Sequence, residues 1–227
     1  MTDSNQLATL SPAMRSCIER FSDQGWRERK FATEELVRLV THEQPDGATM
    51  EALIDVLLDL VLEPASVSAR AAGQEALVAL GRTTVPRILS RLDRADPRSR
   101  LLVDLLGSVG TERDVRVLAE IALDPELDEN MRASAATALG SLGGSEAIGA
   151  LENLLDETTE MLTLYALDGL RSAQTRLVQQ AKMASLAPCQ ALLLDVPKAK
   201  LNGAVAIRLR LFNLSYVARP SLDQSRR

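Results

Sequence analysis

The chain has 227 residues, enough for one large domain or two small ones, with 46% hydrophobic but only 3% aromatic residues and a net charge of −5. Its core must therefore be built from Leu, Ala, Val and Ile, which suits stacked helices better than a β-sandwich. A single histidine, His42, and two distant cysteines, Cys17 and Cys189, argue against a metal centre, a disulfide framework and most acid–base catalysis.

Residues 1–11 are polar and carry no apolar run behind a basic stretch, so they read as an N-terminal tail and not a secretory signal. Ser11 and Pro12 open a helix over 12–22, in which Cys17 is a small core residue. Asp23 precedes a second helix that starts at Trp26 and includes Leu36. Trp26 is expected to seal the end of the core, and His42 to cap the helix's last carbonyls. The next helix covers 48–62; its apolar part is interrupted by Asp55 and Asp59 and is too short to cross a bilayer. Glu63 and Pro64 precede a helix from Arg70 through Leu77 that Gly81 closes. A helix over 84–94 follows, with Pro86 in its first turn, and Asp96 and Pro97 lead into one that Gly110 stops. Thr111 and Asp114 form a capping-box pattern before a helix over 112–123.

The clearest unit begins at Asp124 and Pro125. Met131, Ala135, Ala138, Leu139 and Leu142 recur at spacings of three and four, as do Ala147, Ile148, Leu151, Leu154 and Leu155 over 145–155. Gly143 and Gly144 stop the first of these helices, and Ser145 is expected to cap the second. A further helix spans 162–170. Leu36, Leu77, Leu106, Leu139 and Leu167 then align as equivalent positions of five second helices. This predicts an all-α chain in which helical hairpins stack into one solenoid over 12–176. Residues 177–219 read as a C-terminal helical capping segment, with Pro188 to Leu194 as a short helix and 197–218 as a longer one. A strand-like alternation at 207–211 competes with that helix, and 220–227 read as a disordered basic tail.

The unit Met131, Arg132, Ala135, Ala138, Leu139, Gly140, Leu142, Gly143 after an Asp-Pro pair resembles the short bacterial HEAT-like repeat also found in phycobilin lyases. The resemblance covers 124–156 best, 63–123 fairly, and 12–62 and 157–176 less. It implies a right-handed stack of about five to six antiparallel hairpins whose second helices line the concave side. The repeat's arginine is present as Arg70 and Arg132, is offset to Arg98 or Arg100 in the third unit, and is Glu160 in the fifth.

Function in such a stack lies on exposed rows. One row reads Glu34, Glu75, Asp104, Thr137 and Tyr165; a flanking row reads Lys30, Ala71, Arg100, Ala133 and Met161. Three consecutive acids suggest a groove for a basic or amphipathic protein segment, and the same row also fits an ordinary solvated face. Charge is segregated: residues 1–170 hold 16 basic and 29 acidic residues, a net −13, whereas 171–227 hold 10 and 2, a net +8. The basic segment with Lys198, Lys200, Arg208 and Arg210 suits nucleic acid phosphates, an anionic membrane surface, an acidic partner, or the acidic body of this molecule or another copy. The leading expectation is a cytoplasmic, bacterial protein-binding scaffold with no catalytic residue, metal or cofactor. A nucleic-acid-binding protein or DNA glycosylase relative, and a bilin lyase subunit, stand as alternatives; homo-oligomers stay open.

Overall fold

A short amphipathic hairpin leaves most of its apolar side bare, and burial follows only when the next hairpin leans on it. The computed structural model describes residues 4–22, 25–62, 67–156 and 159–183, and among them every regular element is helical. The elements are α1 (Ser4–Thr9), α2 (Pro12–Glu19), α3 (Trp26–Glu43), α4 (Gly47–Leu62), α5 (Val67–Leu80), α6 (Val85–Arg91), α7 (Arg100–Val109), α8 (Val115–Leu123), α9 (Glu129–Leu142), α10 (Gly144–Leu154) and α11 (Glu160–Met183). Short 3₁₀ turns follow α2 and precede α6, α7 and α8.

The helices form two layers. The second helices α3, α5, α7, α9 and α11 pack in succession, each against its own first helix from α2, α4, α6, α8 and α10. One buried cluster runs from Leu10 to Leu170 through both layers, built almost wholly from Leu, Ala, Val and Ile. Its aromatic is Phe21, fully buried in the turn after α2.

Local sequence sets the ends. Ser11 caps α2 by accepting the Met14 N–H at 3.3 Å, with Pro12 in the first turn. Thr111 donates its N–H to Asp114 Oδ2 at 2.8 Å, the expected capping box. Asp128 accepts the N–H groups of Asn130 and Met131 at the start of α9. The expected Ser145 cap is absent: Gly143, at φ 72°, closes α9 and serves as N-cap of α10, with Gly144 at φ 87°. The N-cap is thus a glycine with no side chain to offer, and Ser145 already lies inside the helix; the positive φ at both positions is one that glycine adopts readily.

Four further expectations are corrected. Ser4–Thr9 is a helix lying against α4, and Leu10 is buried, so apolar Leu7 and Leu10 anchor the stretch read as a tail. Trp26 is 61% exposed, because it stands at the first position of α3 while the buried face starts at Ala32; Phe21 closes the core instead. His42 lies inside α3, whose C-cap is Gln44 in the left-handed region, φ 45°, its N–H bonded to the Val40 carbonyl. The final helix runs to Met183, past the expected boundary at 176. Asp23, Glu63, Pro64, Cys189, the two expected helices over 188–218, and the basic residues Lys198, Lys200, Arg208 and Arg210 lie outside the described residues.

Candidate binding face on the second helices

Neighbouring second helices approach closely where their side chains are smallest. A Cβ placed on Gly140 of α9 would stand 2.5 Å from Gly169 Cα of α11, and one on Gly107 of α7 would stand 2.8 Å from Ala138 Cβ of α9. Such crossings hold the second helices in one register and carry their outward side chains in rows.

Glu34, Glu75, Asp104 and Thr137 are all exposed, as the expected row requires. The fifth member is different. Leu162, Ala166, Leu170 and Ala173 of α11 are buried and match Met131, Ala135, Leu139 and Leu142, whereas Leu167 is only half-buried. The equivalent of Thr137 is therefore Asp168, and Tyr165, 43% exposed, falls in the row of Ser134. The ridge reads Glu34, Glu75, Asp104, Thr137, Asp168. In the flanking row Lys30 and Arg100 are exposed as expected, but Ala133 is buried beneath α11 and its counterpart is Leu164, not Met161.

The ridge is tied to its neighbours loosely at the ends and more firmly in the middle. Lys30 Nζ lies 4.0 Å from Glu34 Oε1, both exposed, a pair worth little in water. Asp168 is paired with Arg171 at 2.7 Å. Asp104 keeps an edge in solvent, yet α7 and α9 crowd around it. Loss of hydration holds its carboxyl above the usual range, and a hydrogen bond from Ser134 and the charge of Arg100 oppose that rise. Beside it, Val78 of α5 occupies the place that Gly107 and Gly140 hold in α7 and α9. It remains 43% exposed. Glu75 and exposed Val78 of α5 thus stand in sequence with Asp104 of α7, whose carboxylate turns to Ser134 of α9, so the ridge sets carboxylates beside an exposed apolar side chain.

The opposite layer carries a feature not foreseen from the sequence. Arg87 and Arg91 of α6 meet Glu51, Asp55 and Asp59 of α4 in a ladder of ion pairs. Asp55 is almost fully buried in it. Asp55 and Asp59 are four apart, as are Arg87 and Arg91, so the pattern was present as matched helical spacing. The repeat arginines also have a defined task. Arg70 Nε donates to the Val61 carbonyl at 3.0 Å, and Arg132 Nε donates to the Ala122 carbonyl at 3.0 Å, each closing the last turn of the preceding first helix.

Elsewhere the surface holds less chemistry. Exposed Trp26 and Phe31 are each covered by an arginine, Arg27 at 5.6 Å and Arg20 at 5.4 Å from the ring centre. A shallow, open cleft lies between Glu112, Arg113 and Val115 and the turn Gly143 to Glu146. Cys17 is buried, and burial pushes its thiol up from the ordinary range, with Glu35 adding to the rise. Among the described residues no three His, Cys, Asp or Glu side chains cluster as metal ligands, and no helix is long and apolar enough to cross a membrane.

Two layers of packed helical hairpins with equivalent rows of side chains define a helical-repeat protein. The sequence model of one family, the PBS lyase HEAT-like repeat, matches residues 131–157, which span most of α9 and all of α10. The chain is a HEAT-like repeat protein. A search among curated proteins returned no match.

Proposed function

We propose that the chain is a non-catalytic binding scaffold, a right-handed stack of five to six hairpins that holds a basic, amphipathic protein segment along its second helices. The observation that carries the reading is the row of exposed acids on the second helices. Glu75 stands beside exposed Val78 on α5, Asp104 follows on α7, and the ridge continues to Glu34 at one end and Asp168 at the other. A partner with lysines or arginines beside apolar residues matches that surface in both charge and hydrophobicity. Catalysis fits poorly, because an open ridge offers no enclosed site where carboxylates converge on one atom. Binding is the role such a surface performs best.

Glu75→Lys with Asp104→Lys reverses the charge of the ridge at two positions without touching the core, and Glu152→Lys on α10 is a matched control on the other layer. Proteins captured from the source lysate by the native chain should be lost with the double variant and kept with Glu152→Lys. Recovery of the same proteins by all three chains would remove the acidic ridge from the reading.

A further inference from the structure

The chain has one Trp, two Tyr and three Phe, so leaving two of these rings in water is a notable use of them. Trp26 and Phe31, on the first turns of α3, are 61% and 57% exposed. At 3.6 residues per turn, Trp26, Lys30, Arg27 and Phe31 follow one another around about 140° of the helix, so two cations stand between two rings. Arg27 lies 5.6 Å from the Trp26 ring centre, and Arg20, from the turn after α2, lies 5.4 Å from that of Phe31. A guanidinium laid on a ring is held in place there and still turns its edge to a carboxylate. Charge reverses locally as well. Residues 15–31 hold five basic residues (Arg15, Arg20, Arg27, Arg29, Lys30) and three acidic ones (Glu19, Asp23, Glu28), a net +2, within residues 1–170 of net −13.

We propose that this end of α3 binds a short acidic peptide segment of a partner protein, its carboxylates on Arg27 and Lys30 and an apolar side chain against Trp26 and Phe31. The nearby carboxylates leave room for it. Glu35 accepts from Arg38 at 2.6 and 2.9 Å, and Glu28 folds back over Gly25 at the head of α3. Glu34 stands 4.0 Å from Lys30 Nζ, a loose and exposed pair that a better-placed carboxylate displaces at little cost. Glu34 also sets the length of the ligand, because the acidic ridge begins there. With a Debye length of about 8 Å at physiological salt, patch and ridge act separately. A long polyanion leaving the patch would run into the carboxylates of the ridge, whereas a short segment would not. The inference does not rest on the ridge as a binding surface; it names a second surface of opposite charge.

The test uses the full chain, in which Trp26 is the one tryptophan and its emission reports this patch alone. A synthetic peptide of alternating glutamate and leucine should shift that emission, and added salt should weaken the response. Arg27→Glu should weaken binding by about tenfold or more. An acid in the first turn favours a helix, so this variant keeps its fold. Trp26→Ser should weaken binding likewise, followed by the anisotropy of a labelled peptide, and exposed Arg113→Glu on the turn before α8 should change nothing. Equal binding by all four chains overturns the proposal, and so does an unmoved emission in the native chain. An equal or larger emission shift with oligothymidylate, or with phosphatidylserine vesicles, also overturns it and gives the patch to nucleic acid or to a membrane. The lysine and leucine counterpart of the peptide tests the acidic ridge instead, so the two surfaces fail separately.

Discussion

Arg87 holds Asp55 across 32 positions of sequence, its Nε donating to one carboxylate oxygen at 3.1 Å and its Nη2 to the other. Asp55 is 4% exposed, so its charge has little water to turn to if the guanidinium leaves. Burying an ion pair is costly, but removing one partner from a pair already buried costs more, because a desolvated charge remains. Arg87 is partly exposed and Arg91 lies 3.6 Å from the same carboxylate, which softens the loss. Arg87→Ala should therefore lower stability by about 2–3 kcal/mol in urea unfolding. Replacing both, Asp55→Leu with Arg87→Met, should recover most of it. A double variant as unstable as the single one would mean that the contact is packing and not charge.

The glycine crossing gives a sharper contrast. Ala at Gly140 would put its methyl 2.5 Å from Gly169 Cα and 2.7 Å from its carbonyl oxygen, backbone atoms that cannot step aside. The two helices must move apart along their whole contact, at a cost of about 2 kcal/mol or more. Gly149 lies inside α10, with nothing within 4 Å of its added methyl. There the same substitution should stabilise by about 0.5–1 kcal/mol, since alanine is the better helix former. Opposite signs for two Gly→Ala changes, read as shifts of the urea midpoint, are the expected result; equal signs would contradict the close crossing.

The layered fold was legible because five helices repeat one apolar spacing, and the register of four of them followed from Leu36, Leu77, Leu106 and Leu139. The fifth failed for a definite reason. Leu162, Leu164, Leu167 and Leu170 offer two helical faces, and the sequence contains nothing that ranks them; the contact of Gly169 with Gly140 does, and it moves Asp168 onto the ridge. Asp55 and Asp59 looked like interruptions of an apolar stretch because their partners stand a whole repeat away. The exposure of Val78 could not be seen either, since it depends on how neighbouring helices pack and not on the character of one residue.

The two repeat arginines should differ in weight. Arg132 is 5% exposed and donates to the Ala122 carbonyl, while Arg70 makes the equivalent bond to Val61 from a half-buried position. A hydrogen bond from a charged donor to a shielded carbonyl is worth about 1.5–3 kcal/mol, and water recovers more of it where it can enter. Arg132→Met should fall in that range and Arg70→Met below it, as measured by thermal or urea unfolding. The reverse order would show that burial of the guanidinium does not set the strength of this bond.

Asp104 links the proposed face to pH. Loss of hydration raises its carboxyl in the folded chain above its value in the unfolded chain. In the window between those two values the folded state binds more protons than the unfolded one, so stability falls as pH rises through it. Above the window the full penalty remains, and below it the penalty is absent. Asp104→Asn removes a titrating group while keeping an acceptor for Ser134, so it should stabilise the chain near neutral pH and make no such difference in acid. Urea midpoints of both proteins from pH 3 to 8 would show the two curves together at the acid end and separating upward. A separation of the opposite sign, with Asp104→Asn the less stable near neutral pH, would mean that the folded chain favours the charged carboxylate, as one neutralised by Arg100 would.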